Sequence, residues 1–260
     1  MNVLFIGDIV SSLGRQAISE LLPQVVKEQN IDIVIANCEN TTGGRGISVK
    51  HYQELKGYGI HAFTGGDHIY RYKEIEEYIG NLDIAVPLNG DKNLPGNRQV
   101  TVDLGEGEKL TVISLLGNAL MKAEATNPFQ AIEELLQRRN FDHPVLVDFH
   151  AEATSEKKAM GYYLQGRVSA VVGTHTHVQT CDEEILGNKT AYITDVGMTG
   201  SINSVVGVKK EIIINRLSKG IKDKFEWEKN GNYALSAVVI SIDTNKQIPK
   251  NVNRIYLTSR

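Results

Sequence analysis

Five short apolar runs in this chain each stop at side chains that bind protons or metals. NVLFIG is followed by Asp8, IDIVIAN by Glu39 and Asn40, HAFTGG by Asp67 and His68, VLVDF by His150, and SAVVGT by His175 and His177. Apolar runs this brief, bounded by glycine or polar residues, are expected to be buried strands. The segments between them carry helical spacing. In SSLGRQAISELLPQVVKEQN, Leu13, Ala17, Leu21 and Val25 share one face, Pro23 is expected to bend or offset the helix, and Asn30 marks its end. Strand and helix alternating in this way predict an α/β sheet with parallel neighbours. Right-handed crossovers would bring the carboxyl ends of those strands to one edge, where open α/β proteins bind ligands.

The remaining pattern fills out the same architecture. SVKHYQELKGYG reads as a helix capped by Ser48 and closed near Gly57, and KEIEEYIG as a short helix. RQVTVDL, GEGE and KLTVISLLG predict a β-hairpin. NPFQAIEELLQRR and SEKKAMGYYLQG read as helices and TAYITDVG as a strand, while Asn230-Gly231 predicts a two-residue turn between strands in the tail. No Pro/Gly/Ser-rich linker divides residues 1–260, so one domain is expected. The second half is expected to hold more antiparallel strands.

Composition narrows the partners. A net charge of -3 gives no global basic field, so a long nucleic-acid duplex is a poor ligand and any anion must be held by local charge. Cys38 and Cys181 form no C-x-x-C pattern and predict free thiols in a reducing compartment. The sequence offers neither a signal-peptide pattern nor a membrane-length apolar window, and cytoplasmic residence is expected.

Each donor has an ordinary explanation when taken alone: Asp8 as a helix cap, Asn40 in an Asx turn, His150 as a satisfied core histidine. Gathered at one edge, carboxylates, amides and imidazoles would cost desolvation energy unless a cation offset it. An extended backbone through His175-Thr176-His177 would point both rings to one side. Mixed His/Asp/Glu/Asn donors without cysteine suit Zn, Mn or Fe(II), and their number exceeds the needs of one ion. GDIVSSLG lacks the closely spaced glycines of a dinucleotide fingerprint, and no Walker lysine motif occurs. TTGGRG, residues 41 to 46, is either a surface loop or a phosphate cradle with Arg45 adding charge. His51, His61 and His143 are read as surface or packing residues, and Tyr162 and Tyr163 as the core and surface faces of one helix.

GD at 7 to 8, CEN at 38 to 40, GGDH at 65 to 68, FH at 149 to 150 and GTHTHV at 173 to 178 resemble the calcineurin-like metallophosphoesterase superfamily. Within it the chain is similar to the bacterial YmdB-like phosphodiesterases over nearly its whole length. The resemblance implies a four-layer α/β/β/α sandwich with two metal ions, Fe or Mn foremost and Zn as an option, acting on small phosphodiesters. The family's reported substrates include 2',3'-cyclic mononucleotides and cyclic AMP. It implies that Asp8, Glu39, Asn40 and His177 surround one ion and Glu39, Asp67, His150 and His175 the other, with Glu39 bridging. His68 would be the catalytic, non-ligand histidine. A homo-oligomer is also implied. Two rival readings remain: a binding or regulatory protein with structural metals, and a phosphomonoesterase on the same core.

In one position the chain departs from the family pattern, which has asparagine where Asp67 stands in GGDH. An ionised Asp67 adds one negative charge beside the ions, favouring the cations and opposing a phosphodiester anion. Asp67→Asn is therefore expected to weaken metal binding and tighten apparent substrate binding. Titrating metal and substrate against both proteins checks this, and two unchanged constants would refute it.

Overall fold

Strand Asn2–Ile6 alternates in the sense its sequence allows, with both faces buried: Val3 and Phe5 join one apolar cluster, Leu4 and Ile6 another. The computed structural model describes residues 1–105, 107–122 and 124–259. Two large sheets face each other. The first runs in the order Asp8–Ile9, Met198–Ser201, Tyr233–Asp243, Asn2–Ile6, Ile33–Asn37, Ala62–Thr64, Ile84–Ala85, with Ile248–Thr258 also paired to Tyr233–Asp243. The second runs Glu184–Leu186, Thr190–Ile193, Ala170–Thr174, Val145–His150, Lys109–Leu116, Val100–Asp103.

Three apolar clusters define the layers. Val3, Phe5, Ile33 and Ile35 of the first sheet meet Leu110, Val112, Leu146 and Ala170 of the second. Outside the first sheet, Ile18, Leu22 and Val25 of helix Ser11–Glu28 and Leu55 of helix Val49–Gly57 cover Leu4, Ile6 and Ala36. Outside the second, Ile132 of helix Pro128–Arg138 and Met160 and Leu164 of helix Thr154–Leu164 cover Ile113, Leu115, Val147 and Phe149. The result is the expected α/β/β/α sandwich. The core strands of the first half pair in parallel, Asn2–Ile6 with Ile33–Asn37 and Ile33–Asn37 with Ala62–Thr64.

Local signals act as their chemistry requires. Ser48 accepts the His51 N–H at the start of its helix, and Asn127 accepts from Phe129 and Gln130 at the start of another. Helix Ser11–Glu28 continues through Pro23, and Asn30 adopts a left-handed φ of 48° just beyond its end. Val100–Asp103 and Lys109–Leu116 form the expected hairpin, although its GEGE turn includes Glu106, which lies outside the described residues. Cys38 and Cys181 are both free. No helix among the described residues is long and apolar enough to cross a membrane.

The tail differs from expectation. Asn230-Gly231 does not join two strands of a hairpin: Gly231 has a positive φ and Asn230 does not, so the type I′ geometry of a two-residue turn is missing. Strand Tyr233–Asp243 instead turns back onto Ile248–Thr258, a strand the sequence pattern conceals because most of its side chains are polar and exposed. Sheet burial, rather than local turn preference, selects the partner.

A buried cation ties helix to sheet. Lys157, on helix Thr154–Leu164, is 1% exposed and places Nζ 2.5 Å from Asp195 Oδ2 and 2.7 Å from the Thr174 carbonyl. Lys157→Met would leave Asp195 buried without its counter-charge, and a loss of about 3–5 kcal/mol is expected in denaturant unfolding. A change below about 1 kcal/mol would remove this pair from the framework.

Candidate metal centre

The carboxyl ends of strands from both sheets meet at one seam. Asp8, Glu39, Asn40 and Asp67 come from the first sheet and the loops that follow its strands; His150, His175 and His177 come from the second. The expectation of one sheet edge is thus replaced by two edges facing each other. Asp8, Glu39 and His150 are fully buried, and Asp8 caps no helix, since Val10 occupies the N-cap without a side-chain bond.

Two sets of donors share one oxygen. Glu39 Oε1 lies 3.3 Å from His150 Nε2, which in turn lies 3.3 Å from Asp67 Oδ1 and 3.0 Å from His175 Nδ1. One ligand atom from each of Glu39, Asp67, His150 and His175 falls within 4.8 Å of the others. On the other side, the Asn40 amide lies 3.0 Å from the same Glu39 Oε1, 3.5 Å from Asp8 Oδ1 and 3.2 Å from His177 Nε2. Gly66 makes this closeness feasible, because a Cβ there would sit 2.1 Å from Glu39 Oε2 and 2.6 Å from His150 Nε2.

The two histidines of H-x-H do not meet in the way the sequence predicts. The strand ends at Thr174, His175 and His177 both have positive φ, 99° and 65°, and their rings go to different donor sets. Such backbone costs about 1–3 kcal/mol per residue and persists only where surroundings impose it. Here Asp8 Oδ2 accepts the His175 N–H at 3.2 Å, and Asp195 Oδ2 accepts the Thr176 N–H at 3.2 Å.

All three rings are oriented by their outer nitrogens. Thr174 Oγ1 donates to Asp148 Oδ1 at 2.7 Å and so accepts from His150 Nδ1 at 2.9 Å. Glu152 Oε2 stands 3.3 Å from His175 Nε2, and the Val206 carbonyl accepts from His177 Nδ1 at 3.1 Å. These acceptors fix the tautomers that leave His150 Nε2, His175 Nδ1 and His177 Nε2 with lone pairs turned inward, the disposition of metal-binding imidazoles.

The charges agree with that geometry. Burial works against the ionised carboxyls, yet the neighbouring imidazoles hold Asp8 below the ordinary carboxylate range and Glu39 well below it. Burial likewise opposes protonation of His150, but Glu39, Asp67 and Asp8 pull it well above the usual value, and Asp8 pulls His177 up. His175 is lowered by burial and by His150 beside it. Carboxylates that favour a positive charge on His150 and His177 leave the cluster short of it, and a divalent cation among these donors would supply it.

His68 sits against the cluster with Nδ1 3.1 Å from Glu39 Oε1 and 3.7 Å from Asp67 Oδ1, and its backbone N–H donates to Glu39 Oε2 at 3.0 Å. Burial would lower its pKa, but Glu39 raises it above the usual histidine value. Arg45 lines the same cavity as His68, Glu39 and His177. The TTGGRG loop is anchored at Thr41 and Thr42, whose carbonyls accept from Arg15 and Tyr72. His51, His61 and His143 lie elsewhere, bonded to Thr42, Val34 and Thr111. Tyr162 and Tyr163 are both exposed, so neither is the expected core face, because helix Thr154–Leu164 buries Met160, Gly161 and Leu164 instead; Tyr163 donates to Glu133 outside the second sheet.

Several supporting residues escaped the sequence reading. Asp195 follows strand Thr190–Ile193 and obeys the same strand-end pattern as Asp8, so that signal was present. Asp148 lies inside its strand, where Asn37 and Thr64 of the first sheet donate to it at 3.1 Å and 2.5 Å, and burial pushes its pKa up to about 6. Nothing in the sequence marks Glu152 or the Val206 carbonyl.

Fold and site define a hydrolase of the metallophosphoesterase type. The YmdB-like protein family model matches residues 4–255, and the chain belongs to that family. A Bacillus subtilis protein named 2',3'-cyclic-nucleotide 2'-phosphodiesterase is 40% identical, over 99% of this chain and 97% of its own. A Mycoplasma pneumoniae structure described as a novel phosphatase superposes with TM-score 0.93 at 34% identity, covering 99% of this chain and 93% of its own. A Thermus thermophilus protein described as hypothetical gives TM-score 0.92 at 35% identity over 100% of both chains.

Removing the Thr174 hydroxyl tests the ring-orientation argument. Thr174→Val leaves His150 Nδ1 without its acceptor, and metal affinity is expected to fall about 10–100-fold. Isothermal titration with Mn(II) measures it, and wild-type affinity would contradict the assignment.

Proposed function

We propose that the chain is a dinuclear-metal phosphodiesterase that hydrolyses small cyclic nucleotides, 2',3'-cyclic mononucleotides foremost and cyclic AMP as a second candidate. The observation that carries this reading is Glu39 Oε1, shared between the Asp67/His150/His175 donors and the Asp8/Asn40/His177 donors. In this assignment Asp8, Glu39, Asn40 and His177 hold one ion, and Glu39, Asp67, His150 and His175 the other. The Asn40 amide would then turn its oxygen inward, an exchange of two similar groups at the end of one side chain. Iron or manganese suits this mixed oxygen and nitrogen donor set.

Bound there, the ions would supply Lewis acidity, making water nucleophilic near neutral pH and offsetting phosphate charge. The protein's own groups do the rest. Arg45, in the same cavity, attracts the phosphate. His68, whose protonated form Glu39 favours against the opposing effect of burial, would give its proton to the departing 2'-oxygen as water adds to phosphorus and the P–O bond breaks, and the proton lost by that water replaces the one given, leaving a 3'-nucleotide. Thr174, Glu152 and the Val206 carbonyl hold the histidines in register throughout.

A panel of cyclic nucleotides, linear diesters and monoesters, assayed with Mn(II) or Fe(II), separates the alternatives. Chelator-sensitive turnover of cyclic diesters is expected, with monoesters slower. His68→Ala should retain metal while kcat falls about 10²–10⁴-fold. Monoester preference would favour a phosphomonoesterase, absence of turnover with metal bound a binding protein, and undiminished kcat in the variant would end the general-acid role.

A further inference from the structure

One wall of the metal-site cavity is made by a segment to which no role has yet been assigned. Strands Ser204–Val205 and Val208–Lys209 form a tight hairpin, and the chain returns alongside it: Trp227 bridges Val208, Lys209 N–H donates to the Glu226 carbonyl at 2.9 Å, and Glu228 N–H to the Gly207 carbonyl at 2.9 Å. Side chains alternate across this small sheet. Val208, Phe225 and Trp227 face the cavity of about 320 Å3 that also exposes Glu39, His175 and His177. Lys209 and Glu226 pair at 2.6 Å on the other side.

The aromatic wall is fixed in place. Gly44 of the TTGGRG loop lies over the Trp227 indole so closely that a Cβ would come within 1.9 Å of Cε2, and the Arg216 guanidinium stacks 4.3 Å from the Phe225 ring centre. The turn that carries this wall also reaches the metal centre. Val206 takes φ 47°, a rare conformation for a β-branched residue, and its carbonyl binds His177 Nδ1.

We propose that Trp227 and Phe225 form a nucleobase platform opposite the metal centre, making them specificity-determining residues for nucleoside, rather than simple alkyl, phosphodiesters. The inference rests on the phosphodiesterase reading for the position of the phosphate. The cavity suits a nucleoside-sized ligand, and stacking on an aromatic wall tolerates every base because each has a π-face. Discrimination among the four bases should accordingly be weak.

Trp227 is the only tryptophan in the chain, so its emission reports the platform directly. In the metal-loaded protein, adenosine 3'-monophosphate is expected to quench it saturably, and ribose 3-phosphate at equal concentration is not. In kinetics, the kcat/KM preference for 2',3'-cyclic AMP over methyl riboside 2,3-cyclic phosphate should fall about tenfold or more in Trp227→Ala through a higher KM, and recover in Trp227→Phe. Equal quenching by nucleotide and ribose phosphate, or an unchanged preference in Trp227→Ala, overturns the platform. If neither diester is turned over while nucleotide still quenches selectively, the platform stands and the phosphodiesterase reading fails.

Discussion

Burying carboxylates and imidazoles together, with too little positive charge among them, is the constraint on which the rest of this structure depends. Asp8, Glu39 and His150 are removed from water at the seam between two sheets, where an uncompensated charge is costly. The fold surrounds that seam with secondary bonds that dictate how each donor points. Thr174, Glu152 and the Val206 carbonyl each take one imidazole N–H, and Asn37, Thr64 and Thr174 all bind Asp148. The donors are thereby preorganised for a cation, and this rigidity limits the reorganisation needed when one binds.

Backbone strain is present at the same place. His175, His177 and Val206 are non-glycine residues with left-handed φ, and all three border the centre. Relaxing His175 toward an extended backbone would break its N–H bond to Asp8 and swing its ring from the His150 partner. The strain is sustained by Asp195, which binds Thr176 N–H and is neutralised by Lys157. Helix Thr154–Leu164 thus contributes to the centre without supplying a ligand, and core stability and site geometry become one property.

The strand-to-helix alternation, the Ser48 cap and the residues that end each strand were legible because they arise from local periodicity and short-range bonding. The candidate donors are legible for the same reason: Asp8, Glu39, Asn40, Asp67, His150, His175 and His177 all stand beside apolar runs. Three features depart from what local pattern predicts. The H-x-H pair was expected to converge from an extended strand, whereas the chain bends and sends its rings to separate donor sets. Asn230-Gly231 has turn composition but does not set strand pairing, because Tyr233–Asp243 finds its partners by burial. The aromatic wall of Phe225 and Trp227 has no periodic signature, since its bridge to Val208 joins segments separated by the helix Lys210–Lys219.

The sequence by itself determined which segments are strands and helices, which faces are apolar and which candidate donor side chains stand at the strand ends. Those properties depend on neighbours within a few residues. Only the tertiary structure decided that the strand ends come from two facing sheets, that Glu39 is shared between two donor sets, and which nitrogen of each histidine looks inward. The sharing of Glu39 joins residues more than a hundred positions apart, and the orientation of each ring depends on a partner more than twenty positions away, all fixed by packing and by buried hydrogen bonds that no local pattern encodes.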